Sequence, residues 1–407
     1  MKFVGKLLLF SILIACFARC KKPYNPEITT IDNNYLVIEG MIDSGQDTTY
    51  IFLSRTIKLD SLKRRPEAGS SVLIESDKND TYPLTEVAKG KYMALGLNLP
   101  FDRKFRLHIR TLEGKEYLSD YVENKKTPPI DSINYEPLIS GVQFYASSHD
   151  PSNNTRYYRW DFDETWAYHS YQPTNLKYVF ASNDIIFRTS DSLINECYKN
   201  DRPSNSVYIG SSTKLGADVI SRAPIGYIPA VTGKFFSLYS MNVKQYALTS
   251  EAYVYWELLK KNTEGLGSIF DASPSSSISN FHSVDNPQEP VLSYLSVSTV
   301  TEKRVFVQGR DLKFFVTYYY GPPAELCDPL KNPKKIFFEP RATYDDRMRR
   351  TFAKGDSLPT FVESRKPDGI QVGWNYAAKE CVDCRLFGGH TKNRRSGRYS
   401  FKKLIAV

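Results

Sequence analysis

Residues 35–54 read YLVIEGMIDSGQDTTYIFLS and contain two apolar runs separated by a turn. The first run covers 35–40. The second, 48–54, alternates apolar with polar positions after a turn that contains Gly45. A period of two is typical of a β-strand with one buried face, so the stretch predicts two adjacent strands. Further short strands are predicted at 71–75, 82–86, 90–93, 105–109 and 117–122. Short strands at regular spacing, with turn residues between them, favour a β-sandwich over residues 35–126.

A second β-rich domain is predicted over residues 127–390, after the chain-breaking segment 127–129. In its strand 156–166, aromatic and charged side chains alternate, so that the aromatic residues share one face of the strand and the charged residues share the other. The aromatic set is Tyr158, Trp160 and Phe162, and the charged set is Arg159, Asp161 and Asp163. This alternation predicts a half-buried strand with a charged outer face.

One helix is predicted near 250–262, where Ala252, Tyr255, Trp256 and Leu259 recur at helical spacing and Ser250 is placed to cap the start. Strands are expected again at 291–298, 304–307 and 313–320, after a Ser- and Asn-rich loop at 268–286. The predicted fold class is mainly β: an N-terminal β-sandwich, prealbumin-like or immunoglobulin-like, is followed by a larger β-rich domain with one clear helix.

The first residues predict export. Lys2 and Lys6 precede an apolar run, 7–15, that is too short to span a bilayer as a stable helix. The segment ends in cysteine, which predicts a lipoprotein signal peptide over residues 1–19 and a tether over 20–34. A plain secretory signal or an N-terminal membrane helix is the alternative.

Two cysteines are candidates for lipidation. Cys16 follows a branched apolar residue at −3 and the small residue Ala15 at −1, as a lipoprotein signal peptidase requires. Cys20 follows Arg19, which is a poor residue at that position. Acyl chains on either thiol would hold the protein on a membrane, because each buried methylene contributes about 0.8 kcal/mol.

The composition is that of a folded protein. Hydrophobic residues make up 41% of the 407-residue chain and aromatic residues 14%, which argues against disorder. A formal net charge of +9 is mild for this length and does not require nucleic acid as a partner. The basic tail, 391–407, is either a solvated end or a surface for anionic lipid or lipopolysaccharide.

Four cysteines follow the leader: Cys197, Cys327, Cys381 and Cys384. An even number in an exported chain favours two disulfides, with three pairings open. Zinc is a less favoured alternative, because the ligands form one close pair rather than two, and free thiols are the remaining alternative. A redox role for Cys381 and Cys384 is also weak, because no helical period follows them.

No catalytic motif is found, so an enzyme is not predicted, and neither a cofactor nor a metal is expected. Asp161, Asp163 and Glu164 are the candidates for an acid pair, although acids on an outer strand face are usually solvated. His149 and Asp150 are interpreted as a turn-capping pair. The five histidines, His108, His149, His169, His282 and His390, are scattered.

An ordered set of short motifs resembles the family of Bacteroidota envelope lipoproteins catalogued as a domain of unknown function, number 4249. The matching segments are 20–26, 35–40, 53–55, 90–92, 127–132, 158–160, 164–166, 239–248, 255–256, 262–264, 267–271, 381–385 and 388–389. The resemblance favours Cys20 as the lipidated residue. It implies an outer-membrane location, on the periplasmic or the cell-surface face. It also implies an accessory role beside a TonB-dependent transporter.

These observations give three hypotheses of function. The first is a non-enzymatic ligand-binding or accessory lipoprotein that works with a TonB-dependent outer-membrane transporter. The second is an envelope hydrolase acting on glycans or peptides through Asp161, Asp163 or Glu164. The third is a structural envelope protein that binds lipopolysaccharide.

Overall fold

The computed structural model describes residues 34–57, 65–202, 206–264, 279–312, 324–331, 334–364 and 371–389. Within these ranges the chain is mainly β, as predicted. The first strands are β1 (Leu36–Asp43), β2 (Thr48–Arg55), β3 (Arg65–Pro66), β4 (Ser71–Ser76), β5 (Thr81–Ala88), β6 (Lys91–Leu95), β7 (Lys104–Arg110), β8 (Glu116–Ser119) and β9 (Val122–Lys125).

The middle of the chain adds twelve strands among the described residues. They are β10 (Ile130–Leu138), β11 (Gly141–His149), β12 (Tyr157–His169), β13 (Leu176–Val179), β14 (Asp184–Phe187), β15 (Glu196–Asp201), β16 (Tyr208–Ser211), β17 (Val219–Pro229), β18 (Leu238–Ala247), β19 (Phe281–Ser283), β20 (Val297–Ser298) and β21 (Val300–Gln308). The helices are α1 (Ser250–Glu264), α2 (Ala324–Cys327), α3 (Arg341–Phe352) and α4 (Lys379–Val382), and the last strands are β22 (Lys335–Phe337), β23 (Ser357–Ser364) and β24 (Gln371–Ala378).

The N-terminal strands close into a barrel. Their pairing runs β7-β4-β5-β6-β2-β1-β20-β9, and β9 pairs back to β7, which completes a ring of eight strands. The closing strand β20 comes from far along the chain and is parallel to both β1 and β9. The predicted sandwich arrangement is therefore not confirmed. A strand was expected at 291–298, but local periodicity does not show that its last residues pair with β1 and β9.

The barrel is filled by apolar side chains from alternate strand positions. In β2, Ile51 and Leu53 are buried in the core, whereas Tyr50 and Phe52 lie outside, each about 40% exposed. Residues 281–297 contribute Phe281, Val291, Leu295 and Val297 to the same core. The barrel core therefore draws on a later segment as well as on residues 35–126.

Gly40 permits the close contact between β1 and β2. Its φ is +134°, and a Cβ at this position would lie 2.3 Å from the carbonyl oxygen of Tyr50. Glycine is the residue that tolerates both conditions.

The second body consists of two sheets that share one core. One sheet has the order β15-β12-β18-β21, with β16 also paired to β12, and the other has the order β10-β11-β17. Tyr158, Trp160 and Phe162 point into the core, so the predicted parity of β12 is confirmed.

Among the described residues, two short chain segments connect the barrel to the second body and form a waist: 125–130 and 298–301. Thr299 donates its backbone N–H to the carbonyl of Lys125 at 3.1 Å, which holds the segments together. Gln245, which is fully buried, accepts from the Trp160 indole at 2.8 Å and donates to Pro128 and Ser148 at 2.9 Å each. The waist is thus fixed by buried hydrogen bonds.

The helix predicted near 250–262 is confirmed as α1. Its start is capped by Thr249, whose hydroxyl accepts from the N–H of Ala252 at 3.2 Å, rather than by Ser250. The helix α3 was not predicted, because its sequence is largely charged and only Met348 and Phe352 are buried. The strand expected at 313–320 lies outside the described residues, as does most of the loop at 268–286.

The C-terminal module comprises β13, β14, β22–β24 and α2–α4. Leu176 and Ile185 of the β13–β14 hairpin pack with Met348 and Phe352 of α3 in one small core. A second small core contains Cys327, Cys381 and Val382.

Candidate functional site

A cleft with a volume of about 600 Å³ lies between the barrel and the second body. One wall is the outer face of β1, β2 and β6, and the other is built from β12, β18, β21 and α1. Both walls combine aromatic rings with charged groups, which are the groups that orient a bound ligand.

The barrel wall presents Tyr50, Phe52 and Lys91. Strand register explains their proximity, because Phe52 lies opposite Lys91 in the β2–β6 pairing. The Lys91 ammonium lies 4.2 Å from the centre of the Tyr50 ring and 5.4 Å from that of Phe52. Lys91 makes no hydrogen bond or ion pair with the described residues, so cation–π attraction holds it in place.

The opposite wall presents Arg159, Tyr246 and Trp256. Arg159 lies opposite Tyr246 in the β12–β18 pairing, and α1 brings Trp256 to the same place. The guanidinium carbon is 4.2 Å from the Tyr246 ring centre and 4.5 Å from that of Trp256. The nearest carboxylate oxygen belongs to Asp161, 3.4 Å away.

A ladder of charges extends this wall across three strands. Asp161 lies opposite Lys244 on β18, and Lys244 lies opposite Glu302 on β21. The Lys244 ammonium is 3.2 Å from Glu302 and 3.5 Å from Asp163. Cross-strand pairs of opposite charge stabilise a sheet face, so these groups keep one another in position.

The acids predicted as a catalytic candidate set are separated by the sheet. Asp161 accepts a hydrogen bond from the Tyr246 hydroxyl at 2.9 Å, and Asp163 receives two from Arg202 at 2.6 and 3.3 Å. Burial opposes ionisation of Asp163, but Arg202 and Lys244 outweigh it and lower its pKa. Glu164 points to the opposite face, since consecutive strand residues alternate.

Glu164 lies inside the core of the second body and is fully buried. The Lys234 ammonium contacts its Oε2, and Asp201 is 3.7 Å from the same ammonium. Burial raises the pKa of Glu164, while Lys234 and the Tyr239 hydroxyl oppose that rise. The parity of β12 gave a signal for this position, because Glu164 continues the inward series of Tyr158, Trp160 and Phe162.

Two disulfides form, as the even cysteine count predicted. Cys197 bonds to Cys384, and Cys327 bonds to Cys381. The Cys-x-x-Cys residues therefore have separate partners: Cys384 attaches the C-terminal end of the described chain to β15, and Cys381 joins α4 to α2 within the C-terminal module.

His149 and Asp150 act separately. Asp150 caps its turn as predicted, since its carboxylate accepts from the backbone N–H groups of Ser152, Asn154 and Thr155 at 2.9 to 3.0 Å. Burial opposes ionisation of Asp150, but these hydrogen bonds lower its pKa to about 2. The His149 ring instead contacts Asp131, 2.8 Å away, and this contact raises the pKa of His149.

The cleft residues Tyr50, Lys91, Tyr246 and Trp256 were not identified from the sequence as a site. Tyr50 and Phe52 did carry a signal, because they are aromatic residues at the outward parity of β2. The two lipidation candidates, His390 and the basic tail lie outside the described residues. No helix within the described ranges is both long enough and apolar enough to cross a membrane.

The described chain is thus a mainly β protein with a closed barrel, a second two-sheet body and a charged aromatic cleft between them. The model of a family described as a domain of unknown function (DUF4249) matches residues 21–304. The chain belongs to this family. A search of the curated proteins finds no match.

Proposed function

We propose that this protein is a lipid-anchored envelope protein that binds a ligand in the cleft between its barrel and its second body. It has no enzymatic role in this proposal. The observation that carries the binding role is the pair of cations, Lys91 and Arg159, held against aromatic rings on opposite walls of one cleft. Such fixed polar groups in an aromatic recess are typical of ligand sites.

Two features support the location. The leader with Cys16 and Cys20 has the pattern of a lipoprotein signal peptide, which predicts acylation of the exported chain. The two disulfides suit an oxidising compartment outside the cytoplasm. We place the protein at the outer membrane and leave its membrane face open.

The partner in this proposal is a TonB-dependent transporter, to which the protein would deliver or present its ligand. The resemblance of the leader and of the ordered motifs to envelope lipoproteins supports this part of the proposal. We also propose that the barrel is related to prealbumin-like or immunoglobulin-like sandwich modules.

The test uses the full chain with a C-terminal tag, expressed in its native host. Mass spectrometry of the mature N-terminal peptide should show acyl groups on Cys16 or Cys20. Affinity capture from detergent-solubilised envelopes should recover a TonB-dependent transporter. A mature terminus without acyl groups would contradict the anchor, and capture that recovers no transporter under several growth conditions would contradict the partnership.

No specific observation favours the hydrolase. Asp163 and Glu164 lie on opposite faces of β12. The cleft acid Asp161 is engaged by Tyr246, and Asp163 is engaged by Arg202 and Lys244. The direct test is a pair of variants, Asp163→Asn and Glu164→Gln: a hydrolytic phenotype that either variant abolishes would favour the enzyme over the binding role.

A further inference from the structure

The Arg159 guanidinium has an unused hydrogen-bonding edge. Its side chain is 16% exposed, and none of its N–H groups makes a hydrogen bond to a described residue. A guanidinium carries five donors, and a mostly buried group normally finds acceptors for them. The edge of Arg159 is therefore open to an acceptor that enters the cleft.

The orientation of this edge is fixed by packing. The guanidinium carbon lies over the rings of Tyr246 and Trp256, at 4.2 and 4.5 Å from their centres. Contacts at these distances favour a guanidinium whose flat surface faces the rings and whose donors are directed outward in its plane. Tyr246 is itself held by its hydrogen bond to Asp161. A ligand would meet a preorganised donor pair.

The neighbouring acid does not satisfy these donors. Asp161 Oδ2 lies 3.4 Å from Arg159 Nη2, and the two groups form an ion pair but no hydrogen bond. The other oxygen, Asp161 Oδ1, accepts a hydrogen bond from the Tyr246 hydroxyl. Arg202 makes a useful comparison, because its guanidinium donates two hydrogen bonds to Asp163. Within the same cleft, Arg202 thus has a carboxylate partner for two of its donors, whereas Arg159 donates to no described residue.

We propose that Arg159 is a receptor for the carboxylate of a small organic ligand, with Lys91 supplying a second positive charge. A planar donor pair matches the two oxygens of a carboxylate, and such bidentate pairs are stronger than neutral hydrogen bonds. Tyr50 and Phe52 beside Lys91 offer an apolar surface for the body of the ligand. This assignment rests on the proposed binding role and gives it a ligand class.

Isothermal titration of the purified full chain in detergent tests the assignment, with benzoate and glutarate as probes and their amides as neutral counterparts. We expect the carboxylates to bind and the amides to bind at least tenfold more weakly, because a charge-assisted pair is lost. Arg159→Lys keeps the charge but removes the planar donor pair, and should weaken carboxylate binding about tenfold. Lys91→Met should weaken glutarate more than benzoate.

Arg106→Lys is the matched control. Arg106 also lies over an aromatic ring, Tyr121, at 4.8 Å, but it is hydrogen-bonded to Glu75 and lies outside the cleft. This variant should bind both carboxylates as the unchanged protein does. A melting curve for each variant separates loss of binding from loss of folding.

Three results would overturn the carboxylate assignment: no binding by either acid, equal binding by acid and amide, or unchanged binding in a folded Arg159→Lys variant. Inorganic phosphate that binds as well as benzoate would overturn it too, in favour of a general oxyanion site. The proposed function is tested separately, because capture of the transporter and acylation do not depend on these probes.

Discussion

Glu164 shows how one residue combines a sequence pattern with an energetic cost. It follows the inward parity of β12 and is therefore placed in an aromatic core, where an isolated carboxylate would be strongly disfavoured. Lys234, itself 16% exposed, offsets this cost by direct contact. A buried pair of this kind adds little over apolar packing, yet breaking it is expensive because one charge is left without a partner.

We therefore expect Lys234→Met to lower the free energy of unfolding by about 3–5 kcal/mol. The measurement is urea denaturation at neutral pH. Lys261→Met is the matched control, since its pair with Glu257 is exposed on α1 and should be worth less than about 1 kcal/mol. Adding Glu164→Leu to Lys234→Met should restore much of the loss. Equal effects of the two lysine substitutions would contradict this account.

Asp150 carries a pH-dependent contribution to stability. Its pKa is about 2 in the folded protein, against an ordinary value of 3.8. A carboxyl whose folded pKa is depressed stabilises the fold above the unfolded pKa, and this contribution is lost as the pH falls through the folded pKa. The relevant window therefore runs from about pH 4 down to about pH 2.

Asp150→Asn should destabilise the protein by about 1 kcal/mol at pH 6, where the carboxylate accepts several backbone N–H groups. The difference in melting temperature between this variant and the unchanged protein should shrink as the pH approaches 2. Asp102→Asn is the control, because Asp102 is exposed and caps no turn. If the difference in melting temperature stays constant from pH 6 to pH 2, the stabilising effect of Asp150 does not depend on its negative charge.

At the scale of elements, the sequence predicted those strands and helices that follow from the periodicity of neighbouring residues. The alternation in β2 and β12 and the helical spacing in α1 are set by neighbouring residues, so they could be read directly. Lys91 could not be predicted as a site residue, because its role depends on the register of β6 against β2 and on the second body facing the barrel. Helix α3 was missed for a related reason: its two buried residues make too narrow an apolar stripe.

The number of disulfides could be predicted from the even count of cysteines, but their pairing could not. The bond between Cys197 and Cys384 spans 187 residues, and the bond between Cys327 and Cys381 spans 54. Cross-links restrict the unfolded chain more when they close longer loops, although strain modifies the effect. The longer bond should therefore stabilise the protein more.

Replacing Cys197 and Cys384 together by serine should cost about 2–5 kcal/mol, and the loss should exceed that for the Cys327 and Cys381 pair by about 1 kcal/mol. Guanidinium denaturation of the two double variants under oxidising conditions gives the comparison. If the variant that lacks Cys327 and Cys381 is the less stable of the two, then local packing around these cysteines contributes more to stability than the entropy of the unfolded chain does.

At the scale of the whole molecule, the waist decides whether the barrel and the second body unfold together. Gln245 joins Trp160 of β12 to Pro128 of the connecting segment through buried hydrogen bonds. Removing an amide of this kind leaves buried groups without partners, at about 1–3 kcal/mol for each group. The loss falls partly on the connecting segment, at Pro128, and partly on the second body, at Trp160 and Ser148.

Gln245→Leu should consequently split one calorimetric unfolding transition into two, with the barrel and the second body separating. Gln143→Leu is the control: Gln143 also donates to backbone carbonyls, those of Phe144 and Gly226, but it lies within the second body away from the waist. That variant should lower the melting temperature without splitting the transition. Two transitions in the unchanged protein would mean that the waist does not couple the bodies.

The closure of the barrel by β20 also affects the order in which a new chain can fold. β1 and β9 pair with residues 297–298, so their facing edges stay open until roughly 170 further residues have followed β9 out of the ribosome. Open strand edges attract other strands, and distant pairings form slowly. Truncated chains that end before residue 297 should therefore aggregate even though they contain every strand from β1 to β9, and the nascent protein would depend on a chaperone that shields those edges until synthesis is complete.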